Sequence, residues 1–177
     1  MTLLQIVLLV AGGILSGAFV VLLIGRPYVF RLRRRLLTDP TSGLPNFEGF
    51  HRYMKRHPHE KFMLFLLDLD DFRRFNHLGY DCGDEVLKRF ATKLSHELSG
   101  FAFCARYRLG DEFLVVAREY ELDKVRKALE KINNEVVYKN DPVHFTFGVA
   151  SVNSIDADGC NAIRIAHDIL ISKKVAQ

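Results

Sequence analysis

The chain has 177 residues, of which 26% are charged and 49% are hydrophobic, enough for one domain with a substantial core but too few for two full-sized ones. Much of the apolar excess lies in the first 24 residues, which excludes a plain cytosolic globular protein. The net charge is +4, but five arginines lie between Arg26 and Arg35. The basic character is therefore local and indicates membrane orientation rather than nucleic-acid binding. The three cysteines have no paired spacing and support neither a disulfide framework nor a zinc site.

A long uncharged segment opens the chain. Residues 3–24 carry no charged side chain, and about 22 residues in a helix rise ~33 Å, which is enough to cross a bilayer. A cleaved signal peptide is the alternative, but the basic residues that precede its apolar core are missing, and positive charge follows instead. We therefore predict a transmembrane helix over 1–25 and a basic juxtamembrane helix over 26–38, with the rest of the chain in the cytoplasm by the positive-inside rule.

Two small residues stand four positions apart within the predicted span. Gly13 and Gly17 lie on one face of a helix, where they allow a second helix to approach closely. Homodimerisation through this face and packing against a membrane partner protein both fit the pattern, and the sequence alone leaves the choice open.

Helical and strand-like patterns alternate over 39–177. Asn46 is a suitable helix N-cap, the apolar run 62–67 indicates a strand buried on both faces, and Gly110-Asp111 marks the turn of a hairpin. The predicted elements in chain order are a helix ending at residue 56, a strand 62–67, a helix 83–98 with Asp84 and Glu85 in its first turn, strands 101–108 and 113–117, a helix 122–132, a strand 143–152 and a helix 161–174. This order predicts an α/β fold in which helices flank a mixed sheet.

Three acidic residues fall at the ends of predicted strands. Asp68 follows the buried strand, and Asp111 and Glu112 lie at the hairpin turn. If the hairpin pairs beside that strand, the carboxylates converge. Oxygen-only clusters suit Mg²⁺, which takes one or two carboxylates together with phosphate oxygens, and such ions support an in-line displacement at phosphorus. A single strand-end acid is more often an ordinary solvated residue, but the three together favour a metal site.

Six segments, in order, resemble the GGDEF domain of bacterial diguanylate cyclases. The resemblance covers 39–174, and Leu109-Gly-Asp-Glu-Phe113 matches the signature that names the family. The other five segments are Asp39-Pro-Thr-Ser-Gly-Leu-Pro-Asn46, Asp68-Leu-Asp-Asp-Phe-Arg73, Asn76 with Gly83-Asp84, Phe145-Thr-Phe-Gly148 and the stretch from Ala166 to Lys174. The chain is thus identified as a member of this family, with 39–177 as its GGDEF domain.

The resemblance implies a fold like that of polymerase palms and nucleotide cyclases, in a bacterial inner-membrane protein whose domain faces the cytoplasm. In an active member, two GTP-loaded copies face each other and each 3′-hydroxyl attacks the α-phosphate of the other, which yields cyclic di-GMP. By position, Asp68, the backbone carbonyl of Leu69 and Asp111 would bind Mg²⁺ or Mn²⁺, and Asp111 and Glu112 would be the catalytic residues.

The same resemblance implies the nucleotide contacts. Asn76 and Asp84 would bind the guanine edge, Arg73 and Lys174 would contact the phosphates, and Gly110 would also contact the nucleotide. Arg73 stands where the family usually has a lysine, which replaces a point charge with a planar fork.

Three departures from the family pattern affect this assignment. Either Leu109 replaces the first glycine of the signature or one glycine has been deleted beside Gly110, and a side chain at a glycine position would collide with the nucleotide. The guanine loop 76–84 is one residue shorter than usual. The product-inhibition motif R-x-x-D is absent from 99–104, so we expect no inhibitory site.

Two functions follow from this pattern. The one we favour is a degenerate regulatory module of cyclic di-GMP signalling that binds GTP or a dinucleotide with impaired or no turnover, because two binding loops are altered. The alternative is an active diguanylate cyclase, a nucleotidyltransferase that works as a homodimer, because the carboxylates, Asn76, Asp84 and Lys174 are retained.

Overall fold

A single long helix forms the first part of the protein. The computed structural model describes residues 2–108, 110–152 and 159–176, and the chain divides into one compact unit up to Leu36 and another from Leu37 onward. The first unit consists of the helix α1 (Leu3–Leu37) except for its last residue, and this helix is long and apolar enough to span a membrane. The helix continues through Pro27, so the segments predicted over 1–25 and 26–38 form one element.

The second unit contains five helices and six strands within its described residues. In chain order they are α2 (Phe47–Arg56), β1 (Phe62–Leu69), α3 (Arg73–His77), α4 (Tyr80–Glu97), β2 (Ala102–Tyr107), β3 (Glu112–Arg118), α5 (Leu122–Glu135), β4 (Val137–Tyr138), β5 (Asp141–Pro142), β6 (Phe145–Val152) and α6 (Cys160–Val175). Every element predicted over 39–177 is present with small shifts at its ends. The sequence patterns missed α3, β4 and β5, because elements this short carry no periodicity.

The start of α4 differs from the prediction. The helix begins at Tyr80, directly after Gly79 with a φ of 125°, rather than at residue 83. Asp81 therefore lies in the first turn, where the helix dipole favours its charge. The placement of Asp84 and Glu85 in that turn was wrong, because the backbone reverses at Gly79, before the apolar pattern begins.

The main sheet is antiparallel throughout its described strands. Its order is β2-β3-β1-β6, and β1 pairs antiparallel with both β3 and β6, as β2 does with β3. The prediction of a mixed sheet was therefore wrong. Helices connect β1 to β2 and β3 to β6, and the two strands of each pair do run in the same direction. They are not neighbours in the sheet, however, because β3 lies between β1 and β2, and β1 lies between β3 and β6.

The sheet separates two hydrophobic cores. Along β1, Phe65 and Leu67 face the core that α4 and α5 cover, while Leu64 and Leu66 face the core that α2 and α6 cover. Because side chains alternate along a strand, Asp68 lies on the same face as Leu64 and Leu66. The sheet therefore presents Asp68 toward the side of the domain that carries α6.

The helix α6 packs closely against β6 at Gly148. A Cβ at this position would lie 1.8 Å from the backbone oxygen of Ala166, so only glycine allows this approach. The contact sets the depth at which α6 lies on the sheet. Lys174 is in the last turn of this helix, so the same contact governs where its ammonium group reaches.

Candidate functional site

Acidic residues from neighbouring strands meet at one end of the sheet. Asp68, near the end of β1, is the register partner of Glu112 on β3 and of Thr146 on β6. The backbone N–H of Leu69 donates a hydrogen bond of 3.3 Å to the backbone oxygen of Asp111. The pairing of β1 with β3 therefore brings the predicted metal and catalytic residues to the same end of the sheet. This edge of the sheet, where the strands end, carries the candidate site.

Lys174 reaches this edge from α6. Its Nζ is ion-paired with Asp68 Oδ1 and lies 3.2 Å from Asp70 Oδ1. The three side chains are half-buried. The prediction placed Lys174 along the nucleotide, whereas in the structure its ammonium group lies between two carboxylates.

Asp70 is held in place by two further contacts. Thr146 Oγ1 donates a hydrogen bond of 3.0 Å to Asp70 Oδ1, and the backbone N–H of Asp70 donates to the backbone oxygen of His144 at 2.9 Å. Both the side chain and the backbone of Asp70 are thus fixed against the start of β6.

The charges at this edge perturb one another. Burial, and after it the negative charge of Asp68, raises the pKa of both Asp111 and Glu112 above the usual range for carboxylic acids. Burial is the largest single effect on Lys174 and works against its charged form, but the hydrogen bonds to Asp68 and Asp70 and the negative charges of both acids together outweigh burial, so the pKa of the ammonium group is raised. Among the described residues, the four carboxyl groups of Asp68, Asp70, Asp111 and Glu112 outnumber the lysine and arginine side chains that act on them, which are those of Lys174, Arg106 and Arg108, and this excess favours the binding of a cation.

The donor set at this edge fits a hard divalent cation. Asp68 lies in β1, Asp111 lies in the turn directly before β3, and Leu69, whose carbonyl is the third predicted ligand, follows Asp68 in β1. Within the described residues, no group of three or more His, Cys, Asp and Glu side chains could hold a metal ion. That finding is compatible with Mg²⁺, which binds through one or two carboxylates and keeps water or phosphate oxygens as its other ligands.

A buried ion pair supports the turn between β2 and β3. Arg106 Nη1 lies 2.9 Å from Asp39 Oδ1, and both side chains are almost fully buried. The same guanidinium donates to the backbone oxygen of Gly110 at 2.9 and 3.1 Å, and the Ser42 N–H donates to Asp39 Oδ1 at 2.7 Å. The segment that opens the domain thereby positions the residues that precede Asp111.

The predicted guanine-binding residues lie on α3 and α4. Asn76 and Asp84 are both exposed, and a Cβ added to Gly83 would lie 2.1 Å from Asn76 Oδ1, so the Asn76 amide packs directly on Gly83. Arg73 is exposed at the start of α3. No side-chain hydrogen bond or ion pair among the described residues links these three side chains to the carboxylates at the sheet edge.

The signature turn contains a residue with unusual backbone geometry. Arg108 has a φ of 54°, and its guanidinium carbon lies 5.0 Å from the centre of the Tyr107 ring. A Cβ on Gly110 would meet nothing closer than the Glu112 nitrogen at 4.0 Å. Leu109, the position of the substituted or deleted glycine, lies outside the described residues.

The segment that lacks the R-x-x-D motif is aromatic. The rings of Phe103 and Tyr53 stack with their centres 4.1 Å apart, in a groove that Phe101, Arg118 and Tyr120 also line. The absence of an inhibitory site there stays a prediction.

Sequence reasoning assigned no role to three residues of this region. Asp70 could have been given one, because it stands two positions after Asp68 and directly follows β1. Thr146 and Arg106 could not, since their partners Asp70 and Asp39 lie 76 and 67 positions away. Only the sheet register and the packing of the domain bring these residues together.

Comparison with known proteins decides the family. The sequence model described as diguanylate cyclase, GGDEF domain, matches residues 36–177. The chain belongs to the GGDEF family. This GGDEF protein is 31% identical over 126 residues to the diguanylate cyclase DgcP of Pseudomonas aeruginosa, an alignment covering 64% of this chain and 19% of that protein. It is also 31% identical over 105 residues to an uncharacterised membrane protein of Staphylococcus epidermidis, covering 55% of this chain and 29% of the relative.

Solved structures share the fold. The coiled coil and GGDEF domain of DgcB from Caulobacter crescentus, in complex with c-di-GMP, match with a TM-score of 0.76 at 20% identity, covering 94% of this chain and 95% of that one. The diguanylate cyclase SiaD from Pseudomonas aeruginosa, in complex with its activator SiaC, matches with a TM-score of 0.68 at 24% identity, covering 97% of this chain and 70% of that one. The predicted family and the predicted fold, with the sheet corrected to antiparallel, are confirmed. Residues 36–177 are thus a GGDEF domain, a domain of cyclic di-GMP signalling.

Proposed function

We propose that this GGDEF protein binds GTP or cyclic di-GMP together with a divalent cation and condenses GTP slowly or not at all. The observation that carries this proposal is the conformation of Arg108, with a φ of 54° directly before the signature. Glycine adopts this conformation without strain, whereas arginine does so rarely. A long cationic side chain at this turn alters the surface on which a nucleotide would lie.

The retained residues support nucleotide binding. Asp68, the Leu69 carbonyl and Asp111 would hold Mg²⁺ or Mn²⁺, which would stabilise charge on the phosphates and activate the attacking 3′-hydroxyl. Glu112 lies opposite Asp68 in the register, and burial raises its pKa, so this carboxyl is suited to hold a proton near the reacting groups. Asp111 would act beside it.

The remaining contacts would orient the nucleotide. Asn76 and Asp84 would bind the guanine edge, Arg73 and Lys174 would contact phosphates, and Gly110 would leave room beside the turn, where a Cβ has no close neighbour. In this arrangement the protein is a regulatory module whose occupancy by nucleotide controls a partner protein.

An active diguanylate cyclase is the second candidate. The observation that favours it is the assembly of Asp68, Asp111, Glu112 and Lys174 at one edge of the sheet. Turnover would then require two copies of the chain facing each other, and association through Gly13 and Gly17 of α1 would raise their local concentration.

The proposed location is the bacterial inner membrane, crossed once by α1. The length and apolar composition of the helix support this location, and some relatives are named membrane proteins. The arginines after residue 25 support a cytoplasmic GGDEF domain.

Binding and turnover can be measured on the same sample. The full chain, reconstituted in nanodiscs of neutral lipid, is titrated with a fluorescent GTP analogue in Mg²⁺ or Mn²⁺, and then incubated with GTP and analysed for cyclic di-GMP by chromatography. The proposal expects saturable binding, at least tenfold weaker in Asn76→Ala and Asp68→Asn, and little or no product. Asp81→Asn, an exposed acid on α4, is the matched control and should bind as the parent does.

The outcomes separate the two candidates. Rapid formation of cyclic di-GMP that Asp111→Asn abolishes would establish the active cyclase instead. Absence of nucleotide binding in the parent would contradict both.

A further inference from the structure

The ammonium group of Lys174 is bound to Asp68, a carboxylate that the proposed function assigns to the metal ion. It is ion-paired with Asp68 Oδ1 and reaches Asp70 Oδ1 at 3.2 Å. The side chains of the lysine and the two acids are 31%, 23% and 28% exposed, respectively. At this level of burial, the attraction between opposite charges is screened less than at an open surface.

Asp70 is a prepared partner for the lysine. Thr146 Oγ1 donates to Asp70 Oδ1 at 3.0 Å and lies 3.2 Å from Oδ2, and the backbone N–H of Asp70 is bonded to the His144 oxygen at 2.9 Å. These contacts hold the carboxylate beside Lys174 whether or not Asp68 is engaged elsewhere. No role assigned above uses Asp70.

A divalent cation and an ammonium group compete for one carboxylate. Both require close contact with the Asp68 oxygens, and two positive charges a few ångströms apart repel strongly in a half-buried site. We propose that Lys174 is an internal competitor for the divalent cation at Asp68, and that Asp70, oriented by Thr146, is the position that retains the ammonium group when the cation binds. This inference rests on the proposed function, in which Asp68 is a metal ligand.

The consequence is a site that binds metal poorly until nucleotide arrives. Without nucleotide, a cation must displace Lys174 from Asp68. Phosphate oxygens would supply ligands to the cation and a new anionic partner to the lysine at the same time, so metal and nucleotide would bind cooperatively.

Metal affinity in the absence of nucleotide tests the competition directly. Mn²⁺ is titrated into the full chain in nanodiscs of neutral lipid, and the free ion is measured by electron paramagnetic resonance. Lys174→Met should bind Mn²⁺ at least tenfold more tightly than the parent, and Lys174→Gln should do the same. Lys173→Met is the matched control, because Lys173 carries the same charge one position away and donates to the Phe147 backbone oxygen instead; its affinity should stay within twofold of the parent.

The role of Asp70 is tested in a double-mutant cycle. Asp70→Asn should weaken Mn²⁺ binding at least threefold when Lys174 is present, because the lysine then has Asp68 as its remaining partner. In the Lys174→Met background the same change should alter the affinity less than twofold. Equal effects in both backgrounds would mean that Asp70 merely adds negative charge, and would overturn its role as the retaining position.

Failure of the inference is distinguishable from failure of the proposed function. If the parent binds Mn²⁺, Asp68→Asn abolishes the binding and both Lys174 variants bind no more tightly than the parent, the competition is wrong and the metal site stands. If neither the parent nor any variant binds Mn²⁺, then Asp68 is no metal ligand, and the inference falls together with the proposed function. Far-ultraviolet circular dichroism of each variant confirms that the affinities compare folded proteins.

Discussion

At the scale of single residues, the acids of the candidate site differ from the buried acid beside the signature turn in how the fold treats their charge. Asp111 and Glu112 are half-buried acids whose pKa values are raised by burial and by the charge of Asp68. Asp39 is the opposite case: although burial disfavours its charge, hydrogen bonds from Ser42 and Arg106 hold its pKa below the ordinary value. The charge of Asp39 therefore stabilises the fold, whereas the charges of Asp111 and Glu112 oppose it.

Asp111→Asn should raise the melting temperature of the metal-free protein at pH 7. Because the pKa of Asp111 is higher in the folded than in the unfolded chain, the folded state loses stability as the pH rises through that higher value. Asparagine does not ionise, so the variant does not lose this stability. The difference in melting temperature between the variant and the parent should therefore shrink as the pH falls and vanish below the ordinary pKa of aspartate. Differential scanning calorimetry in EDTA from pH 3 to pH 8 measures this directly.

Asp141→Asn is the control for that experiment, since Asp141 is an exposed acid on β5 and its substitution should leave the melting temperature unchanged. A lower melting temperature for Asp111→Asn at pH 7 would show that the Asp111 charge stabilises the fold, contrary to this account.

At the scale of elements, the position of α6 determines whether Lys174 reaches the candidate site. Lys174 reaches Asp68 only because α6 lies deep on the sheet, and Gly148 permits that depth. On the other side of the sheet, α4 and α5 are joined by Glu97, which accepts from Lys93 and Lys131. Hydrogen bonds from these lysines, Lys131 first, lower the pKa of Glu97 to about 2, so this link stays charged throughout the physiological range.

Gly148→Ala should strongly destabilise the GGDEF domain. The new Cβ would lie 1.8 Å from the Ala166 oxygen and 2.9 Å from the Leu170 nitrogen, and backbone atoms of a helix cannot rotate away. Overpacking of this kind costs about 3 kcal/mol, equivalent to a fall of roughly 6–12 °C in melting temperature for a chain of this size. Thermal unfolding of the full chain measures the change.

Gly110→Ala is the matched comparison for Gly148→Ala, because its Cβ has no neighbour closer than 4.0 Å and the melting temperature should stay within about 2 °C of the parent. Equal melting temperatures for all three proteins would mean that α6 does not depend on close contact with β6.

Two glycines of α1, Gly13 and Gly17, are predicted to allow self-association of the chain in a membrane. A Cβ added to Gly13 or Gly17 would meet nothing within 4 Å in the chain, so this face is available to a second helix. Gly13→Ile with Gly17→Ile should reduce dimerisation in a membrane at least fivefold if close helix contact drives it. Energy transfer between labelled copies in liposomes provides the measurement, and Gly25→Ile, equally open but away from the pair, should have no effect. Dimerisation that survives the double substitution would favour contacts elsewhere.

At the scale of the whole molecule, the proposed function requires the GGDEF domain to lie on the cytoplasmic side of the membrane that α1 is proposed to cross. The arginines that follow the apolar part of α1 predict the cytoplasmic side. GTP and cyclic di-GMP are both cytoplasmic nucleotides, so the predicted orientation and the proposed function agree.

Cys160 provides a native probe of this orientation. It is exposed, whereas Cys104 is buried and its thiol pKa is raised by burial to about 12, which makes it unreactive at neutral pH. In a Cys82→Ser background, a membrane-impermeant maleimide should label Cys160 only after spheroplasts are permeabilised. Equal labelling of intact spheroplasts would place the domain outside.

The order of elements and the family could be predicted from the sequence because both depend on local information. The unbroken apolar run over 62–67 identified a strand, and the helical spacing of apolar residues over 122–132 identified a helix. The motifs around Asp68 and Asp111 identified the GGDEF domain. Such signals lie within a few residues of one another, where steric preference and hydrophobic pattern decide the local conformation. Short elements such as α3 carry too little of this information.

The tertiary structure alone decided the sheet register and the charge pairing at the site. A crossover predicts strands of like direction, but only the packed fold shows that another strand lies between them, which made the sheet antiparallel. Likewise, Lys174 is 106 positions from Asp68, and no local pattern relates them. The two residues form an ion pair because packing places their opposite charges in one half-buried space. Gly148 makes this packing possible, since it allows α6 to lie close enough to the sheet for Lys174 to reach the carboxylates.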